Sequence, residues 1–86
     1  MISEASGGFW ACFNALPEAI QQRAMIAFTL WRENQRHPSL QFMRKGPYWS
    51  VRITDDYRAL GRQRDDTIIW FFIGDHTSYL RVLRGG

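Results

Sequence analysis

A single cysteine, Cys12, stands in this chain of 86 residues, so no internal disulfide forms and packing alone must hold the fold. That usage fits a reducing compartment, and the expected location is the cytoplasm. No run approaches the ~20 apolar residues of a membrane helix. The opening "MISEASGG" lacks the basic stretch and apolar segment of a secretion signal, so neither membrane association nor processing is expected. Two histidines, His37 and His76, and one cysteine at unrelated spacings make no zinc pattern. There is also no glycine-rich phosphate loop and no Ser/His/Asp order of a hydrolase, so no cofactor and no metal are expected. Lysine is almost missing as well: of 11 cationic residues only Lys45 is not an arginine, against a net charge of +3. Forked guanidinium groups suit bidentate contact with phosphate or carboxylate, which leans toward nucleic acid or an acidic protein.

Aromatic residues are plentiful. Four Trp, six Phe and three Tyr within a 45% hydrophobic composition supply enough apolar surface for one core without staples. With no repeat, no low-complexity tract and no long linker, residues 1–86 are expected to form a single domain.

The hydrophobic period gives the order of elements. An apolar piece from Phe9 to Leu16 predicts a short helix, and Pro17 followed by Glu18 opens a second that runs to about Asn34. In that helix Ile20, Ala24, Ala27, Phe28 and Trp31 make one buried stripe. Pro38 forbids continuation, and His37 before it reads as a structural turn residue. The period then falls to two. "YWSVRIT" places Trp49, Val51 and Ile53 on one face and Tyr48, Ser50, Arg52 and Thr54 on the other. "DD" and "RDD" turn the chain into "YRALGRQ" and then "TIIWFFI", an antiparallel meander. "TIIWFFI" does not alternate, which predicts a central strand covered on both faces. "LQFMRK" before the meander and "SYLRVL" after it are expected as short strands. The fold class is α+β: two N-terminal helices on one face of a four- to five-stranded, mainly antiparallel sheet, with the other face open. Trp10, Trp31, Trp49 and Trp70 are expected in the core.

The open face collects the strand-borne polar residues. Arg52 and Arg58 flank a short turn and are expected on one side, with Leu60 and Arg62 alternating beside Arg58. Tyr57, Ala59 and Gly61 then face the helices. "GDHTSYLR" brings His76, Tyr79 and Arg81 to the ends of the next strands, within reach of one pocket.

These residues resemble a known family. The helical pair with "LP" between its members, the "HPSLQF" entry to the sheet, "YWSVRITDDYRALG" and the apolar strand ending in "IGDHTSYLRVL" are similar to the RelE/ParE superfamily of toxins from bacterial type II toxin–antitoxin modules, from Phe9 to Leu83. In the RelE-like branch the resemblance implies a metal-independent, ribosome-dependent mRNA endoribonuclease. There a ribose 2′-hydroxyl attacks the neighbouring phosphate to leave a cyclic phosphate and a free 5′-hydroxyl. It implies Arg58 on the scissile phosphate, Arg52 as a second cation, His76 as acid or base, and Tyr79 stacking on a base or assisting proton transfer. Lys45, Arg44, Arg62 and Arg81 are the implied RNA contacts. The plainer reading of Arg58 is a surface arginine paired with Asp55 or Asp56, and of Lys45 and Arg44 a solvated basic loop. Ser50 stands where some RelE-like toxins carry a lysine. The ParE-like branch implies instead a poison of DNA gyrase, and a third possibility is a non-toxic member that only binds its antitoxin. In every case a cognate antitoxin is the implied partner, with ribosome and mRNA, or gyrase, as the target.

Overall fold

Local signals set the two helices. In the computed structural model, which describes residues 1–85, Ser6 caps α1 (Gly7–Asn14) by accepting a hydrogen bond from the Phe9 amide at 3.3 Å. Pro17 opens α2 (Glu18–Glu33). Gln21 on α2 reaches back to the frayed end of α1, donating to the carbonyls of Phe13 at 3.0 Å and Leu16 at 3.2 Å. A short 3₁₀ turn, Pro38–Leu40, is capped by His37, whose Nδ1 accepts from the Ser39 amide; His37 is the structural residue its sequence context suggests.

Five strands follow the order β1-β5-β4-β3-β2: β1 (Ile2–Ala5), β2 (Met43–Lys45), β3 (Tyr48–Thr54), β4 (Tyr57–Arg64) and β5 (Thr67–Asp75). All neighbours are antiparallel except β1 and β5, which run parallel. α1 and α2 cover one face. Ala24, Ala27, Phe28 and Trp31 of α2 meet Val51, Ile53, Ala59, Ile68 and Trp70 of the sheet. Aromatic edges fill the space between, with Phe28 and Trp31 at 5.1 and 5.8 Å from Trp70. Gly61 completes the fit: a Cβ there would sit 2.6 Å from Ile68 Cγ2 and 2.9 Å from Trp70 Cε3, so a side chain has no room.

Four expectations are corrected. "SYLRVL" is not a strand but lies in a helix, α3 (His76–Leu83). The Asp75 carboxylate caps it, accepting from the Ser78 amide at 2.7 Å. The missing fifth strand is supplied by β1, which has one strongly apolar residue and finds its place through register with β5. The second face is not fully open, because α3 lies across its middle and buries Leu60, Ser50 and Tyr79 to 0%, 3% and 4% exposure. Trp10 is outside the core, 45% exposed on the outer side of α1.

The broken alternation of β5 also has another cause than coverage on both faces. Leu60 pairs with Phe72 but Gly61 pairs with Trp70, so Phe71 is a bulge residue with no partner of its own. Trp70 and Ile73 point into the core, whereas Phe71 and Phe72 are both half-buried on the opposite face.

Candidate functional site

The cavity that gathers the chemistry lies between β2, β3, β4 and α3. It measures about 330 Å³ and is lined by Gln41, Lys45, Ser50, Arg58, His76 and Tyr79, with Met43, Leu80 and Leu83 as its apolar part. Each wall has a local cause. Arg58 sits on β4 directly opposite Gly74 of β5, and two residues further His76 starts α3. The His76 amide donates to the carbonyl of Asp56 at 2.8 Å, so the turn before Arg58 and the start of α3 are stitched together.

Arg58 is held by backbone. Its Nη1 donates to the carbonyl of Thr54, and to those of Asp55 and Tyr57 at 3.1 Å each. Neither acidic side chain of the turn pairs with it. The three carbonyls fix one nitrogen of the guanidinium, and the side chain lines the cavity, where a held cation suits an anion.

His76 is exposed and its ring lies 5.5 Å from that of Tyr79, tilted by 30°. Tyr79 itself is buried, and its hydroxyl shares a 2.9 Å hydrogen bond with Ser50. Ser50 is thus the post to which α3 is tied. Removing either hydroxyl strands the other in a buried setting, so Tyr79→Phe and Ser50→Ala should each cost roughly 1–3 kcal/mol. The double variant should cost less than the sum, as a double-mutant cycle in urea would show.

Arg52 belongs elsewhere. Its backbone is in register with Arg58, as expected of residues on one face. β2 ends at the partner of Ser50, however, and past that point the Arg52 side chain lies along a free strand edge. Asp55 captures it at 2.5 Å, the Ser39 carbonyl accepts a second bond at 3.4 Å, and the side chain lines a small hollow with Arg23, Ile26 and Leu30 of α2. The Arg52 hydrogen bond and charge hold the exposed Asp55 carboxyl below its usual range.

The remaining cations divide. Lys45 lines the cavity, and Arg62 projects from the same sheet face further along β4. Arg44 lies over Trp49, 5.3 Å from its ring centroid, on the helix side of the sheet. Arg81 is exposed on α3. Gln41 lines the cavity in a left-handed conformation, φ 44°, with no sequence signal beyond its place after the 3₁₀ turn. Ser50 was marked only as a departure from a lysine. Among the described residues, no group of three or more His, Cys, Asp or Glu side chains comes together as a metal set. Among the same residues no helix is long and apolar enough to cross a membrane.

Asp75 governs the footing of α3. Hydrogen bonds from Ser78 hold its carboxyl below the ordinary value of 3.8. A depressed folded pKa means that the stabilisation is present above about 3.8 and is lost as pH falls through the lower folded value. Asp75→Asn keeps a cap but removes the titration. Chemical denaturation on either side of pH 3.8 should show a smaller acid loss of stability in that variant than in the parent chain.

Comparison with known proteins identifies the family. The model of the ParE-like toxin domain covers residues 18–81. The chain therefore belongs to that family and is a toxin of the RelE/ParE superfamily. No individually curated protein is similar enough in sequence to count as a relative. Among solved structures it is similar to the RelB–RelE antitoxin–toxin complex from Methanococcus jannaschii (19% identity, TM-score 0.67, covering 92% of this chain and 96% of that one). It is similar too to YafQ from E. coli (14%, 0.68, 90% and 94%) and to the YoeB/ParE toxin from Agrobacterium tumefaciens (15%, 0.66, 88% and 99%). At such identities these structures share its α+β RelE-like fold.

Proposed function

We propose that this toxin is a metal-independent endoribonuclease that cuts mRNA on the ribosome, and that a cognate antitoxin restrains it. The observation that carries the reading is the meeting of Arg58, His76 and Lys45 in one cavity, the first pinned by backbone and the second free in solvent. In the reaction the ribose 2′-oxygen attacks phosphorus, its proton leaves to a base, the bond from phosphorus to the 5′-oxygen breaks, and that oxygen takes up a proton. Arg58 and Lys45 neutralise the charge gathering on the phosphorane oxygens. His76 moves the proton, since an imidazole both accepts and donates one. Tyr79, with its hydroxyl tied to Ser50, supports the His76 ring and holds α3 in place. Arg52, occupied by Asp55, is left as a buttress of the turn.

The antitoxin finds two kinds of surface. An acidic or strand-forming segment suits the cationic sheet face and the unpaired edge of β1. An apolar hollow bounded by Trp10, Met25 and Phe28 lies between the helices and β1. The ParE-like description of the matching family favours a second reading, poisoning of DNA gyrase by protein contact. The two are separated by adding the purified protein to a reconstituted translation reaction and mapping mRNA ends. Cuts ending in a cyclic phosphate and a 5′-hydroxyl support the nuclease; intact mRNA together with blocked supercoiling by gyrase would assign the second target.

A further inference from the structure

Beyond the cavity, the uncovered part of the same sheet face carries an arginine with unusual neighbours. Lys45 pairs with Tyr48, and Tyr48 stands one step past the Trp49–Gly61 pair, beside Arg62. The bulge adds Phe71 to the far end of this row. The Tyr48 and Phe71 rings are 5.1 Å apart, and the Arg62 guanidinium carbon sits 5.4 Å from the first centroid and 5.0 Å from the second. Among the described residues this guanidinium donates no hydrogen bond and pairs with no carboxylate, the ion pair there being that of Arg52 with Asp55. A cation placed over two aromatic rings, with its donors unspent, differs from an ordinary solvated arginine.

We propose that Tyr48, Arg62 and Phe71 form a second subsite for single-stranded RNA, where a base next to the cleaved step stacks and its phosphate meets Arg62. Three features favour this occupant. The row is cationic and aromatic, which is the chemistry that holds single strands without reading their sequence. Lys45 belongs both to the row and to the wall of the cavity, so the two sites are continuous. Arg62 is four residues from Arg58 along one strand, about 13 Å at roughly 3.3 Å per residue, so a short extended strand reaches both. The subsite rests on the reading of Arg58 and His76 as an RNA-cleaving site.

The test uses the full chain and a 2′-O-methyl RNA oligonucleotide, which binds without being cut, followed by fluorescence anisotropy across a salt series. Tyr48→Leu and Phe71→Leu keep apolar bulk and lose the π-face; each should weaken binding roughly five- to a hundredfold with an unchanged salt slope. Arg62→Gln should reduce the slope by about one. Thermal melting of each variant confirms that it is folded. If both Leu variants bind like the parent while Arg58→Ala binds less, the row is no subsite and the cleavage reading stands. If the parent binds no RNA at low salt, the subsite proposal falls, while cleavage on the ribosome is decided separately by the mapped mRNA ends. Capture of an acidic peptide such as oligoglutamate in place of RNA, lost with Arg62→Gln, would give the row to a protein partner and overturn the proposal.

Discussion

Replacing Arg58 with alanine should lower mRNA cleavage by roughly a hundred- to a thousandfold, the loss seen when one preorganised donor is removed from a developing anion. The size follows from how the side chain is held. Its Nη1 is already committed to the carbonyls of Thr54, Asp55 and Tyr57, so the energy of orienting the fork is spent in folding and not in the reaction. Lysine at this position keeps the charge but loses the fork, and Arg58→Lys should recover only part of the rate. Arg58 is partly exposed, so the fold should survive either change and near-native melting would separate loss of chemistry from loss of structure. Undiminished cleavage by Arg58→Ala would remove the residue from the mechanism.

Trp70→Ala should have the largest effect on stability. The indole is 1% exposed and touches Phe28, Trp31 and Phe42 edge-on, and truncating such a residue costs about 3–5 kcal/mol. A small domain has about 5–15 kcal/mol in all, so most of the margin goes. Each kcal/mol moves the melting temperature of a domain this size by about 4–8 °C, and a drop of tens of degrees by circular dichroism is expected. There is a second, local consequence. The indole Nε1 donates to Ser3 at 2.9 Å, so β1 loses its side-chain tether as well. Trp70→Phe, which keeps a ring but not the donor, should fall between; a Trp70→Ala variant as stable as the parent would mean that the core is not organised around this residue.

Helix α2 and the β3–β4 face assignments were legible because many residues repeat one period: Ala24, Ala27, Phe28 and Trp31 on the helix, and Tyr57, Ala59 and Gly61 against Arg58, Leu60 and Arg62 on the strand. Elements of few residues gave too little pattern. "SYLRVL" alternates well enough for a strand and is periodic enough for a helix, and what decides is Asp75 capping three residues ahead. β1 has no local signal at all; its place comes from partners some 65 positions away in register, such as Ile2 with Thr67. The site was half legible. Arg58, His76 and Tyr79 do converge, but Arg52 is turned away by an acid three residues on and by where β2 happens to stop, facts of tertiary geometry. Gln41 needs a left-handed backbone that glutamine does not announce.

The bulge at Phe71 separates two tasks that a regular strand would bind together. Either side of it, Leu60 still meets Phe72 and Gly61 still meets Trp70, so every other pair of the ladder between the two strands stays matched. The outer surface thus carries one side chain that the partner strand does not match. In a sheet built this way the identity of the residue at 71 is set by the outer surface, because its side chain answers to no partner in the ladder.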